Sequence, residues 1–303
     1  MDFISKIVLI SGPTASGKSN FAVKLAKKIN GEIINADSMQ VYKELKIISA
    51  RPGLKDYKNI KHHLYWFHGV KKNFSTGDWL KLALRKILEI KKRNKIPILV
   101  GGTGLYFKAI TKGLVKIPVI PIIFRNQIRN LHKSLGQKIF YQRLLKLDPK
   151  CRDKINSTDS QRSIRAYEVK KFTNESLYDL FQNTKPFYSE ENFIKIYMNF
   201  PRNKLINKID SRTKKMIKLG VIDEVKKFVN LKVKKDKSVN KAIGVSEIRG
   251  YLKKEKNLKE IKEKISIKTR QYAKRQSTWA RSNMREWFKL EPQQINNFLK
   301  KIK

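Results

Sequence analysis

The sequence predicts an α/β protein: a parallel sheet covered by helices on both faces, interrupted by an inserted, all-helical domain. Three observations predict it. Over the first 111 residues short apolar runs alternate with amphipathic helical stretches, the pattern of a doubly covered parallel sheet. A glycine-rich segment, Gly12-Pro-Thr-Ala-Ser-Gly-Lys18-Ser19, joins the first apolar run to the first helical one. From about residue 124 to 181 the alternation stops and helix follows helix.

In chain order, Ile7–Ile10 reads as a buried strand and Ser19–Ile29 as a helix. The loop between them has the form G-x-x-x-x-G-K-S in the strand-to-helix context that gives it meaning, which makes the core P-loop NTPase-like. Its glycines allow the backbone to wrap an anion, and the amides at the helix start point at it. Gly12, Pro13, Thr14, Ala15, Ser16, Gly17, Lys18 and Ser19 are therefore expected to hold a diphosphate or triphosphate. Lys18 adds positive charge, and the Ser19 hydroxyl suits a bound Mg2+.

Glu32–Ala36 reads as a second strand ending at Asp37, followed by Ser38-Met39-Gln40. A helix about Asp78–Lys92 precedes the apolar run Ile96–Val100, which enters Gly101-Gly-Thr103-Gly104 and a helix about Leu105–Thr111. Functional groups in such sheets collect at the carboxyl ends of strands. The P-loop, Asp37–Gln40 and the Thr103 turn should converge there. By itself Asp37 reads as a Mg2+ ligand through water, a general base, or a capping residue. No acidic residue follows Ile96–Val100, which argues against NTP hydrolysis.

Ile117-Pro-Val-Ile-Pro121 reads as a linker, since two prolines in five residues break regular structure. The helical region after it carries Arg125, Arg129, Arg143, Arg152, Arg162 and Arg165. Phe193–Phe200 is β-like and returns the chain to the sheet, and the remainder is mostly helical. The expected domains are a core of 1–116 and 192–303 and an insertion of 117–191.

Near the C-terminus, Thr269–Arg281 places Arg270, Lys274 and Arg281 near one helix face and Tyr272, Gln276 and Trp279 on another. Asp159–Arg165 sets Arg162 and Arg165 three apart, where both can address one RNA backbone. The composition agrees: 69 Lys+Arg against 25 Asp+Glu give a formal charge of +44. Such a balance favours a polyanionic partner, or equally a set of solvated lysine-rich faces. A single cysteine, Cys151, excludes a disulfide framework and a cysteine-type zinc site. No apolar run reaches membrane-spanning length, so a cytoplasmic protein with no membrane partner is expected. Without sustained heptads, a monomer is expected.

Together, GPTASGKS, ADSMQVYK at Ala36–Lys43, GGTGLYFKA at Gly101–Ala109, DSQRSIRAYEV at Asp159–Val169 and TRQYAKRQSTW at Thr269–Trp279 resemble the tRNA dimethylallyltransferase (tRNA isopentenyltransferase) family. The resemblance covers nearly the whole chain in the family's order. It implies transfer of a dimethylallyl group from dimethylallyl diphosphate to N6 of the adenine just 3′ of the anticodon, position 37, in tRNAs reading codons that begin with U. It also implies that the helical insertion is a tRNA-binding domain.

By the same resemblance Asp37 matches the catalytic aspartate and Thr103 a position that touches tRNA and orients substrate. Arg202 resembles an arginine near the diphosphate. Ser38, Met39 and Gln40 would line the extruded base, while Arg125 and Gln161, Arg162, Ser163, Ile164 and Arg165 would contact the anticodon stem-loop, with Arg270 and Lys274 on the same RNA.

Three stretches depart from the family pattern. Ile48-Ser49-Ala-Arg51-Pro52 stands for a GTAKP-like run, Tyr65–Val70 replaces an acidic segment, and Pro121-Ile-Ile-Phe precedes Arg125. His62 and His63 read as structural, because neighbours on a strand point to opposite sides. The competing readings are a small-molecule P-loop kinase and a nucleotide-switched RNA-binding protein.

Overall fold

In the computed structural model, which describes residues 2–302, six strands form one sheet in the order β3-β2-β4-β1-β5-β6, all pairs parallel. The strands are β1 (Ile7–Ser11), β2 (Gly31–Asn35), β3 (His62–His63), β4 (Ile96–Gly101), β5 (Phe193–Met198) and β6 (Phe288–Leu290). All five β1 residues are buried, as a central strand covered on both faces requires. Val8 and Ile10 meet Phe21, Leu25 and Ala26 of helix α1 (Lys18–Lys28). Ile7 and Leu9 turn the other way, into a cluster with Trp79, Ala83 and Ile87 of α2 (Thr76–Lys91) and Phe107 and Ile110 of α3 (Gly104–Lys112). Each fully buried Ile or Leu of this sandwich contributes about 1.5–3 kcal/mol.

The chain divides into two compact units, residues 1–111 with 188–303, and residues 112–187. The boundaries lie a few residues before those read from the sequence. The second unit contains α4 (Ile122–Leu147), broken at Gly136 where φ is +69°, then α5 (Ser160–Thr173) and α6 (Leu177–Gln182). Its core is Ile128, Phe140, Leu144, Ala166, Tyr167 and Val169. Cys151 is buried there and hydrogen-bonded to Asp148; burial and that carboxylate push its thiol up to about 12. It is a core side chain without thiolate chemistry.

Beyond β5 come α7 (Arg202–Lys218), α8 (Val221–Asn230), α9 (Val245–Leu252) and the 26-residue α10 (Leu258–Asn283). The chain then adds β6 beside β5, which the sequence reading took as part of a helical tail, and ends in α11 (Ile295–Lys300). Strand β6 has three residues, too few for a period to show. Helices α8–α10 enclose a separate core with Val41, Tyr42, Leu45 and Ile48 from the segment after β2. Glu224 of α8 fixes that segment, accepting from the N–H groups of Lys46, Ile47 and Ile48 at 2.7–2.9 Å. His62 stacks on Tyr57 with ring centroids 3.6 Å apart, and His63 bonds Glu32 at 2.7 Å. Both are structural. No helix among the described residues is long and apolar enough to cross a membrane.

Candidate active site

The site lies at the carboxyl ends of β1, β2 and β4, inside the first unit. After β1 the chain turns through Ala15 at φ +66° and Gly17 at φ +85°, and α1 begins at Lys18. The first turn of α1 has no side-chain cap and no acidic residue, so its amides stand open to an anion. Ser16 is 2% exposed and its buried hydroxyl has no partner, an orphaned donor inside the loop. Lys18 bonds the Pro13 carbonyl at 3.3 Å. Burial lowers its amine to about 8, against an opposing pull from Asp37 and with a further push down from Arg212.

Asp37 follows β2 and is held by its neighbour. Asn35, fully buried, accepts from the Asp37 N–H at 2.9 Å and donates from Nδ2 to the Asp37 and Leu64 carbonyls. The Asp37 Oδ1 accepts from the Met39 N–H at 2.9 Å, an Asx turn, and Oδ2 takes no hydrogen bond among the described residues. Among the described residues no helix begins at Asp37, so one oxygen closes a turn rather than capping a helix while the other remains available.

The third turn is pinned to the second. Thr103 Oγ1 accepts from the Ser38 N–H at 2.9 Å, and the Thr103 N–H bonds the Ala36 carbonyl. This contact explains Gly101: a Cβ there would sit 2.0 Å from the Ala36 oxygen.

Two residues from distant helices complete the arrangement, and the sequence reading assigned a site role to neither. Gln276 of α10 accepts from the Thr14 N–H at 2.8 Å and donates to the Gly102 carbonyl at 2.9 Å, bracing the phosphate loop against the Thr103 turn. Arg212 of α7 donates to Thr14 Oγ1 at 2.8 Å; burial lowers its pKa, opposed by the charge of Asp37. Gln276 lay inside a recognised motif but was read only as one member of the aromatic face. Arg212 carried no local signal, since it stands in a lysine-rich helix where any basic residue reads as surface.

Thr14, Asp37, Ser38, Met39, Arg212 and Tyr272 line a common cavity of about 340 Å3. Thr103 borders a neighbouring crevice of about 270 Å3 with Gly12, Tyr272, Gln276 and Trp279. Gln40 is not among the residues lining the cavity; its amide is bonded to the carbonyl of Ser49, which does line it, at 3.2 Å. Arg202, Arg270 and Lys274 line a different cavity, against the outer side of α10.

In the second unit, Arg125, Arg129 and Arg165 surround the buried Glu168, at 3.4, 3.9 and 3.4 Å. Arg162 is 72% exposed and pairs with Asp159. Gln161 is exposed and Ile164 half-buried. Ser163 is fully buried, its hydroxyl on the Asp159 carbonyl, so its side chain shapes α5 rather than the surface.

The chemistry of this site is an anion cradle beside a free carboxylate oxygen, in a cavity large enough for an allylic group and a base. Comparisons with known proteins agree with that chemistry. The family model described as IPP transferase matches residues 40–283. The chain is 59% identical to the tRNA dimethylallyltransferase of Pelagibacter ubique over 303 residues, covering 100% of this chain and 97% of that one. It is 44% identical to the enzyme of the same name from Rickettsia massiliae, covering 98% and 82%. Among solved structures it is similar to the tRNA isopentenylpyrophosphate transferase of Bacillus halodurans, with a TM-score of 0.71, 32% identity and coverage of 98% and 95%. A eukaryotic dimethylallyltransferase acting on tRNA gives a TM-score of 0.83 at 27% identity, covering 94% and 73%. Matched across most of its length by the family model and nearly end to end by these relatives, the chain belongs to the IPP transferase family.

Proposed function

We propose that this protein transfers a dimethylallyl group from dimethylallyl diphosphate to N6 of the adenine at position 37 of tRNA, in tRNAs reading codons that begin with U. The observation that carries the reading is the shared cavity: Asp37, with one carboxylate oxygen unbonded, faces the same space as Thr14 and Arg212 of the phosphate cradle. A base and a leaving-group site thus line one cavity.

The exocyclic amine of adenine is a weak nucleophile because its lone pair is delocalised into the ring. N6 attacks C1 of the allylic donor, the C1–O bond breaks with its electrons going to the diphosphate, and the N6 proton passes to Asp37. Negative charge grows on the departing oxygen. The first-turn amides of α1, the Ser16 hydroxyl, Lys18 and Arg212 are placed to receive it, already oriented before reaction. Thr103 pins Ser38 and so steadies the segment that would face the base, which supports an in-line approach of N6 to C1. The Ser19 hydroxyl, in the first turn of α1, would be the hard oxygen that holds Mg2+. When bound, Mg2+ neutralises diphosphate charge.

The target base must leave its stack to enter, with Ser38 and Met39 beside it. The 112–187 unit, through Gln161, Arg162 and Arg165, is the part that grips the anticodon stem-loop. The test is nucleoside mass spectrometry on unmodified tRNA with Mg2+ and either dimethylallyl diphosphate or ATP. One isopentenyl unit on adenosine, only with the allylic donor, is the expected product. ATP consumption without modified adenosine would identify a kinase instead.

A further inference from the structure

Transfer as proposed uses two of the cavities around the phosphate loop and leaves a third one idle. That cavity, about 450 Å3, lies between α7, α10 and the ends of β5 and β6. Its floor is apolar, made by Leu205, Ile206, Ile209, Ala273 and Met284. Ala15 of the phosphate loop packs against Leu205, Ile209 and Ala273, so cavity and cradle are separated by a single layer of side chains.

Its rim is cationic. Arg202, Arg270, Lys274, Arg281, Arg285 and Lys289 surround the opening, and among the described residues no aspartate or glutamate lines it. None of the six makes an ion pair with a carboxylate among the described residues; Arg281 and Arg285 reach only the Thr278 hydroxyl and the Arg281 carbonyl. The nearby Glu291 is occupied by the Asn199 amide. Six like charges around one opening repel, and a polyanion relieves that repulsion.

Floor and rim together specify the occupant. An apolar slot takes a flat, weakly polar group, and the rim takes anions on both sides of it. A single diphosphate engages two or three cations and leaves the rest unmatched. An unpaired nucleotide with its flanking phosphates engages them all. We infer that this cavity is a second nucleotide pocket, which takes an unpaired nucleotide of the same RNA other than the one modified. Its base lies on the Leu205–Ile206–Ile209 floor and its flanking phosphates on the rim. The inference rests on the RNA reading above, and gives the cavity a task in it: anchoring a second unpaired base fixes how far the target adenine reaches toward Asp37.

The test combines a pocket-filling variant with a base-deletion scan. Ile206 is half-buried and faces the cavity, so Ile206→Trp fills the slot without entering the core. Binding is measured by anisotropy with labelled anticodon-stem-loop hairpins, intact or carrying one abasic site at each unpaired position. Expected is a loss of about tenfold for Ile206→Trp on the intact hairpin, a loss of one base contact. One abasic position other than the target should show a similar loss, and the two combined should lose no more than either. Dimethylallyl diphosphate affinity, measured by calorimetry, should be unchanged, which also verifies the fold. Arg285→Gln with Lys289→Gln should weaken the hairpin and lower its salt slope by about two phosphate contacts.

Losses that add at every abasic position, or an unchanged hairpin affinity in Ile206→Trp, overturn the inference. So does weakened binding of dimethylallyl diphosphate with the hairpin unaffected, which would make the cavity a site for the donor. Wild-type protein that binds the hairpin without modifying adenine would instead sink the transferase reading, and the binding scan still decides the pocket.

Discussion

Arg212 donates to the Thr14 hydroxyl across 2.8 Å, joining helix α7 to a loop nearly two hundred residues earlier. The guanidinium is partly buried, and its charge acts on both Lys18 and Asp37. In the proposed transfer a cation that close to the phosphate cradle meets the charge that grows on the departing diphosphate. Arg212→Met is expected to lower kcat by about 10²–10³-fold, the effect of losing one preorganised donor to a developing oxyanion. Arg212→Lys should recover part of it. Single-turnover kinetics with saturating donor separates this from a binding defect; a change in KM alone would make Arg212 a mere anchor of the loop.

Gln276 touches Thr14 and Gly102 at once, and both its amide atoms are used. Gln276→Leu removes two hydrogen bonds that align the phosphate loop with the Thr103 turn. About 1–3 kcal/mol of loop alignment should be lost, seen as weaker binding of dimethylallyl diphosphate in calorimetry. Hairpin affinity should remain within about twofold. Equal losses in both would show that α10 as a whole had moved.

The lowered pKa of Lys18 sets a pH dependence with a definite sign. Its amine titrates near 8 in the free protein, chiefly because it is buried. A bound diphosphate favours the ammonium and raises that pKa, so binding takes up a proton wherever the free amine has already lost one. At about pH 7 this group contributes little uptake, and at about pH 9 close to one proton. Donor affinity should therefore fall as pH rises through 8, by up to about tenfold per unit, where the diphosphate itself is fully ionised. Calorimetry in buffers of different ionisation enthalpy measures the uptake. A flat profile from pH 7 to about 9 would place the amine's titration elsewhere.

How much of this could be read in advance follows from where the signals lie. The strands β1 and β4 were legible because buried parallel strands are continuous apolar runs bounded by glycine or charge, while β2 showed only the pair Ile33–Ile34 beside its buried Glu32. The phosphate loop, Asp37 and Thr103 were legible because strand-end turns are local in sequence. Arg212 and Asn35 were not. Each acts through a contact that only the fold creates: α7 laid over the loop for Arg212, and a buried amide folded back on its own strand end for Asn35. Gln40 and Ser163 show the reverse, residues inside recognised motifs whose side chains are engaged in holding the motif itself. A motif marks a stretch; it does not say which of its side chains face the ligand.

In the 112–187 unit, Arg162 and Arg165 stand three apart but have different neighbours. Arg162 is 72% exposed beside Asp159, whereas Arg165 shares the buried Glu168 with Arg125 and Arg129. Arg162→Gln should lower tRNA affinity severalfold and reduce the salt slope by about one. Arg165→Gln also changes the charge balance at Glu168, so it should lower the melting temperature as well. An Arg162 variant with an unaltered slope would remove that side chain from the RNA surface.

The two oxygens of Asp37 can be tested separately. Oδ1 holds the Met39 N–H and so the turn; Oδ2 is the atom that takes the N6 proton in the proposed transfer. Asp37→Asn retains an oxygen for the turn and removes the base, while Asp37→Ala removes both. If Asp37 acts by accepting the proton, the two variants should lose transfer to a similar extent, by about 10²–10⁴-fold. Asn should also keep the wild-type tRNA affinity, with Ala weakening it severalfold. If Asp37 acts by shaping the turn, Asn should retain most of the activity and Ala should lose it. The comparison of kcat for the two variants decides between proton transfer and positioning, because only one of those roles survives the exchange of a carboxylate for an amide.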